Sequence, residues 1–296
     1  LSGTSKMFTG HPEEGREHLD EAFRLYQPAI HRGLATRFGV DSQVSALCNR
    51  SWALWLLGQP DAARRDCDEA IRNAREIGQT ATIIYALAHA GTPLVLLGDS
   101  EACLEQSREI MNLSEQIGSR FWDAAGRMNF GCACAIAGRP REAIEAIDAG
   151  MPVWSEMGAT LWMQFKLAHH AASHLQLGQV VAARHSVDEA LSITARTGEV
   201  WFDPELHRVA GDIERALSGS GSQAAEAHYR HAMQLADQHG SRSLVLRAAM
   251  SLASFYDGAG EKGRALDVLA PVYATFSEGF GTRDLVAAGA LLSDLR

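Results

Sequence analysis

The chain has 296 residues, is 46% hydrophobic and 21% charged, and carries a formal net charge of −9 without any basic block. Binding to a nucleic-acid backbone needs clustered Lys and Arg, so the composition argues against a nucleic-acid partner. Eight prolines in this length permit long helices, and no run long and apolar enough to span a bilayer is expected, which argues against a membrane partner.

The opening LSGTSKMFTG lacks the hydrophobic region of a secretory signal. GTSKMFTG reads as a helix end, and residues 13–26 as the second helix of a partial N-terminal unit. A chain cut inside that unit would leave an apolar side on 13–26 and a tendency to self-associate there.

From Asp41 onward the chain repeats. Val44, Leu47, Cys48, Ser51, Leu54 and Trp55 share one helical face, and Gly58 closes that helix in a left-handed cap. Pro60 opens the next helix, whose stripe of Ala63, Cys67, Ala70, Ile71 and Ala74 runs to Gly78. The turn glycines then recur every 40 residues at Gly58, Gly98, Gly138 and Gly178, and the linker glycines at Gly78, Gly118, Gly158 and Gly198. A small residue stands seven places before each turn, at Ser51, Gly91, Gly131, Ala171, Gly211 and Ala253. A period of this size means an array of helix pairs, with the small residues placed where paired helices approach.

The frame predicts first helices over about 43–57, 80–97, 119–137, 160–177, 203–217 and 242–259. Second helices fall at about 60–77, 100–117, 140–157, 180–197, 222–239 and 262–277, with a closing helix over 283–295. Asp203 is expected to cap a helix that begins with Pro204. Pro93, Pro152 and Pro271 fall inside helices and should kink them. The expected fold is all-α, one domain over 1–296: a right-handed α-solenoid of about six full units that unfolds from its ends.

The pattern of Ser51, Gly58, Ala63 and Ala70, repeated as Gly91, Gly98, Cys103 and Ile110 and again as Ala171, Gly178, Ala183 and Ala190, resembles the tetratricopeptide repeat. The unit is six residues longer than the usual 34 and lacks the usual closing proline. The segments ALWLLGQPDAARRDCDEAI, GEVWFDPELHRVAGDIERAL, SRSLVLRAAMSLASFY and LAPVYATFSEGFGTRDLVAAGALL further resemble the C-terminal repeat arm of bacterial signalling proteins. In those proteins a class III adenylate/guanylate cyclase or other output domain precedes a P-loop ATPase. The resemblance implies a regulatory or partner-binding arm. An alternative is a repeat arm that senses a small molecule, as in some transcriptional activators; a closed, aromatic-lined cavity would favour it.

No cyclase motif, P-loop, nucleophile elbow or paired carboxylates appear, so no catalytic role and no cofactor are assigned. His169, His170 and His174 read as packing histidines rather than metal ligands, as do His228 and His231. Cys48, Cys67, Cys103, Cys132 and Cys134 are odd in number and lack framework spacing, which points to structural thiols in a reducing, cytoplasmic setting. The expected partner is a protein, a peptide or another domain of the parent chain. Its site is expected on a concave face of first helices bearing Trp52, Trp55, Tyr85, Met128 and Phe165, followed by a charged stripe of Glu205, Arg208, Asp212, Arg215 and Arg247. Glu205 and Arg208 should meet Arg247 or Asp257 across adjacent first helices.

Overall fold

The computed structural model describes residues 2–296, apart from the side chain of residue 220. Helix α1 (Ser2–Phe8) pairs with α2 (Pro12–Leu25), and three short helical turns follow, α3 (Pro28–His31), a 3-10 turn (Arg32–Leu34) and α4 (Ala35–Phe38). The repeats are α5 (Ser42–Leu56) with α6 (Pro60–Ile77), α7 (Thr80–Leu97) with α8 (Ser100–Gln116), and α9 (Arg120–Ile136) with α10 (Pro140–Glu156). They continue as α11 (Met163–Gln176) with α12 (Val180–Thr197), α13 (Asp203–Ser218) with α14 (Gln223–Gln238), and α15 (Arg242–Gly258) with α16 (Lys262–Tyr273). Helix α17 (Arg283–Leu295) closes the array, and no strand occurs among the described residues.

The repeat frame has direct physical causes here. Gly58, Gly98, Gly138 and Gly178 have φ between 72° and 82°, the left-handed conformation that ends a first helix. Inside the helices, a Cβ on Gly131 would lie 2.8 Å from the Ala143 carbonyl oxygen, and one on Gly211 would lie 2.5 Å from the Tyr229 ring. Glycine at these positions therefore sets how closely each pair packs. Ala63, Ala143 and Ala183 on the facing second helices are fully buried. Helices α7, α10 and α16 each run through their proline.

First helices are sandwiched on several sides. Contrary to the expectation that no run is long and apolar enough to span a bilayer, helix α7 passes that test by length and composition, with mean hydropathy 1.5, but 72% of it is buried within the fold. It is an internal helix of the repeat stack. Second helices expose their outer side, as α6 does while burying Ala63, Cys67, Ala70 and Ala74.

Three local expectations are corrected. Helix α11 begins at Met163, not 160, because Trp162 sits in the left-handed region at φ 70°. That conformation costs a bulky residue on the order of 1–3 kcal/mol. The Glu199 carboxylate holds it by accepting the Trp162 N–H at 3.0 Å. Asp203 does not cap α13; it lies in the first turn and accepts from Thr194 Oγ1 at 2.9 Å. The outer side of α2 is mostly charged, with Glu13, Glu14, Glu17 and Glu21 exposed and Leu25 the one large apolar side chain exposed among residues 13–26, so the continuous apolar side expected there is not formed.

The array also closes on itself. Ser243 Oγ donates to the Trp55 carbonyl at 2.5 Å, Arg247 Nη2 to Leu96 O at 2.9 Å, and Arg283 Nη1 to Ile136 O at 3.2 Å. Those carbonyls lie in the last turns of α5, α7 and α9; Trp55 O also accepts the Gly58 N–H at 3.0 Å, while the Leu96 and Ile136 carbonyls receive guanidinium donors where a cation is favoured. In the opposite sense, Glu278 accepts the Ala62 N–H of the first turn of α6 at 3.0 Å, and Asp61 accepts the Gly279 N–H at 2.9 Å. Residues of α15 and the α16–α17 segment thus cap helices that precede them by some 150–220 positions. Contacts are not confined to neighbouring units, so the expectation of unfolding from the ends does not follow from this structure.

The closed ring encloses aromatic side chains. Trp52 lies 5.0 Å from Phe8, 4.6 Å from Trp162 and 4.6 Å from Trp201, ring centre to ring centre. The Phe8 carbonyl accepts the N–H groups of Val200 and Trp201 at 2.9 and 3.3 Å, tying α1 to the α12–α13 linker. Aromatic pairs of this kind contribute roughly 0.5–1.5 kcal/mol each beyond burial.

Candidate functional site

A cavity of about 470 Å³ opens between the last turn of α9, the outer half of α11, and α13, α15 and α17. Its charged wall is built from successive first helices. Glu205, in the first turn of α13, is 8% exposed and receives a two-pronged hydrogen bond from Arg208, one turn later, at 2.9 and 3.0 Å. Arg208 reaches the other way to Asp212 Oδ2 at 2.6 Å and to Ser251 Oγ at 3.2 Å. The Tyr229 hydroxyl donates to the second Asp212 oxygen at 2.8 Å. Arg247, from α15, donates to Asp284 of α17 at 2.7 Å, approaches Glu205 at 3.8 Å, and lies over the Trp55 ring at 4.8 Å.

The electrostatics follow from this packing. Burial alone would raise the Glu205 carboxyl, but Arg208 and Arg247 overcome it and draw the group down to about 2. Burial pushes Arg208 down, yet Glu205 and Asp212 outweigh it, so the guanidinium stays charged. His169 lines the same cavity. Burial, then the Arg247 charge, lowers it to about 3, so it is neutral, and its Nε2 is buried without a hydrogen-bond partner. The site is an internally paired ionic wall with one unpartnered imidazole nitrogen. Such a wall fits recognition of polar groups, with its charges fixed before a ligand arrives.

The structure brings Glu205, Arg208, Asp212 and Arg247 together at this cavity. The Glu205–Arg247 approach across adjacent first helices is present, and the alternative through Asp257 is not. Arg215 does not line the cavity. The aromatic half of the expected concave face is sealed: Trp52 and Phe165 are 0% exposed, Met128 1% and Trp55 2%. Ring closure covers the two tryptophans, since α15 lies over the α5 terminus and α1 with the α12–α13 linker covers Trp52, whereas Met128 packs on Gly150 of its own helix pair and lines a second cavity. Tyr85 is half-buried, stacked on His89 with ring centres 3.8 Å apart, and its hydroxyl shares a proton with Ser45 at 2.9 Å.

Sequence reasoning missed Asp284, Arg283 and His169. Asp284 was legible, because Glu205, Arg247 and Asp284 occur on successive first helices at spacings of 42 and 37 residues. Of the histidines read as packing residues, His170 pairs through Nδ1 with Ser186 Oγ at 2.9 Å and sets its Nε2 beside Asp148 at 3.1 Å, and His174 pairs with Gln179 at 2.6 Å, whereas His169 Nε2 has no partner. His207, His228 and His231 cluster, with His207 and His228 3.4 Å apart. Among the described residues no group of three His, Cys, Asp or Glu is placed to hold a metal ion. All five cysteines are buried and free, and burial pushes Cys67 to about 12 and Cys132 to about 11.

The architecture is a tetratricopeptide-like helical-repeat solenoid. A Rap protein solved in complex with Competence and Sporulation Factor superposes with a TM-score of 0.67 at 14% identity, covering 100% of this chain and 74% of that one. The apo form of RapI matches with a TM-score of 0.58 at 10% identity over 99% of this chain and 97% of that one. Aspartyl phosphate phosphatase F from Bacillus subtilis matches with a TM-score of 0.57 at 12% identity over 92% and 67%. At these identities the likeness establishes the fold alone. An uncharacterized protein of Rhizobium meliloti (strain 1021) is 23% identical over 244 residues, 82% of this chain and 24% of that protein. The chain thus spans about a quarter of the length of that relative. No protein-family model matches.

Proposed function

We propose that this chain is the partner-recognition arm of a larger bacterial signal-transduction protein, of the adenylate cyclase/ATPase type, and that it takes a peptide or protein segment in the cavity beside α11, α13, α15 and α17. The single observation that carries this reading is the convergence of Glu205, Arg208, Asp212, Arg247 and Asp284 on one open cavity from three separate helices. Three supports stand behind it. The fold is shared with a Rap protein described as bound to Competence and Sporulation Factor. The Rhizobium relative is several times longer than the matched region, as a multidomain parent would be. The cavity wall offers charged donors and acceptors at fixed positions, suited to an extended backbone with charged groups. The reading places the arm in the cytoplasm, beside the output domains it would regulate.

The test is a selection from a random peptide library displayed against the purified chain, followed by titration of the enriched peptides. Ala172→Trp fills the cavity from α11, and Val181→Ser on the outer side of α12, at an 87% exposed position, serves as control. Enriched peptides are expected to lose at least tenfold in affinity for Ala172→Trp and to bind Val181→Ser unchanged, with both variants melting near the parent. Full binding to Ala172→Trp, or no enriched sequence at all, refutes the reading. The alternative of a small-molecule sensor is favoured by one specific feature, a second, aromatic-lined cavity.

A further inference from the structure

A separate cavity of about 330 Å³ lies between α7, α9, α10 and the start of α11, at the low end of the range for small-molecule sites. Its walls are aromatic and apolar: Phe121, Trp122, Trp154, Trp162 and Met128. Phe121 stacks on Trp154 with ring centres 4.6 Å apart and meets Trp122 edge-on at 5.0 Å.

One charged group enters it. Lys166 is 5% exposed, burial lowers its pKa, and the ionisable neighbours that act on it are the Cys132 and Cys103 thiols rather than a carboxylate. The Asn129 side-chain oxygen accepts from Nζ, and the Phe165 ring lies 4.9 Å away. An ammonium has three N–H donors, and one acceptor leaves it under-satisfied in a low-dielectric site. Lys166 also stands in the first turn of α11, the positive end of a helix, where a cation is disfavoured.

The Lys166 partner is itself held in place. Asn129 Nδ2 donates to the Ala88 carbonyl at 2.9 Å, which turns its oxygen toward the ammonium. Gly91 makes room for this, because a Cβ there would lie 2.8 Å from Asn129 Nδ2. One further donor in the cavity lining is orphaned: Trp154 is 8% exposed, and its Nε1 is buried with no acceptor. His89, also lining the cavity, donates its Nδ1–H to the Tyr85 carbonyl at 3.0 Å. Burial depresses it to about 4, so it stays neutral and adds no competing cation.

The cavity is therefore rich in aromatic faces and unsatisfied donors and contains no acid. From this we infer that it binds a small aromatic carboxylate, its ring between the aromatic side chains and its carboxylate on Lys166 Nζ and Trp154 Nε1. One ammonium and one indole N–H, with no arginine on the wall, match a monocarboxylate rather than a phosphate dianion. Trp162 stands between this cavity and the central cluster, 4.6 Å from Trp52 and 5.5 Å from Trp201, so occupancy will register in tryptophan emission.

The probes are benzoate and indole-3-acetate, with benzamide and indole-3-acetamide as uncharged counterparts, titrated into the intact chain by calorimetry and by tryptophan fluorescence. At least one carboxylate is expected to bind tenfold or more tightly than its amide. Lys166→Met, which keeps the length and apolar stem, should abolish that preference, and Trp154→Phe, which keeps the ring but removes the donor, should weaken the carboxylate severalfold. If Lys166→Met does not fold, Ala125→Trp, which fills the cavity from α9, should abolish binding of both members of each pair. Equal affinities for acid and amide, no heat or fluorescence change with either carboxylate at millimolar concentration, or an unchanged preference in Lys166→Met overturns the proposal.

Discussion

Replacing Glu199 by Gln tests the electrostatics of the aromatic centre. Glu199 is 3% exposed in the α12–α13 linker, and its Oε1 accepts from Trp162 N at 3.0 Å and Trp201 Nε1 at 3.3 Å. Its Oε2 is buried without a partner. Burial raises the carboxyl from 4.5 to about 7, against the lowering effect of those two donors. Between these values the folded chain holds a proton that the unfolded chain has released, so this group's contribution to stability is complete below pH 4.5. It declines as pH rises through about 7 and is absent above that. The interval corresponds to roughly 3 kcal/mol. Gln reproduces the protonated carboxyl, because its oxygen can still accept from Trp162 and Trp201 while its amide stays neutral at every pH. The histidines depressed by burial, among them His89 and His169, lose stability as pH falls below 6.5, but equally in both proteins, so they cancel in the difference. The assay is urea denaturation of parent and variant at pH 5 and pH 8. The stability of the variant relative to the parent should increase by about 2–3 kcal/mol between the two. A difference that does not change with pH would show that Glu199 ionises as an ordinary surface carboxylate and would remove the stated reason for its placement.

Three further outcomes follow from the packing. Gly211→Ala drives a methyl group to 2.5 Å from the fully buried Tyr229 ring and should cost about 1–3 kcal/mol in urea denaturation, net of the better helix propensity of Ala; no loss would contradict close approach as the reason for the glycine. Asp41→Ala removes the α5 cap, which accepts from Gln43 N, Val44 N and the Tyr26 hydroxyl, and should lower stability by about 2 kcal/mol in a thermal melt, with Asp41→Asn recovering much of it. Arg247→Met leaves Asp284 and the Leu96 carbonyl without their donor and should cost about 2–4 kcal/mol while broadening the urea transition; an equally sharp transition at the same midpoint would mean that ring closure adds nothing to cooperativity.

The repeat was legible because its determinants are local. Gly58 or Gly178 ends a helix through its own φ, and Pro60 or Pro140 begins one through its own missing N–H, so every full unit appeared within a few residues of its observed bounds. The charged half of the site was legible for a related reason, since Glu205, Arg208, Asp212 and Arg247 share a helical face or a repeat register. The sealed half was not. Whether Trp52 faces a groove or a core depends on how far the array curls, and that angle accumulates over six units from small differences in packing. Only long-range contacts reveal it, such as Phe8 against Trp52 or Ser243 against the Trp55 carbonyl. Trp162 was invisible as well, because its left-handed backbone is imposed by Glu199, 37 residues away.

Under the proposed function, closure also restricts which ligands the charged cavity could accept. Arg247 and Arg283 line that cavity and at the same time donate to the Leu96 and Ile136 carbonyls at the ends of α7 and α9. A ligand that draws either guanidinium away leaves a helix terminus with an unpaired carbonyl, at a cost of about 1–3 kcal/mol where the carbonyl stays buried. Arg208 is not bound in this way, but moving it exposes Glu205, whose low pKa depends on it. The groups free to meet a ligand without loosening the ring are His169 Nε2, which has no partner, and the carboxylate oxygens of Asp212 and Asp284 beyond their present bonds. On the proposed function, a ligand presenting donors to the carboxylate oxygens would bind the closed ring and stabilise it by mass action, and one presenting a strong anion to the arginines would weaken the contacts that close it. The two classes are therefore opposed in their effect on the same array.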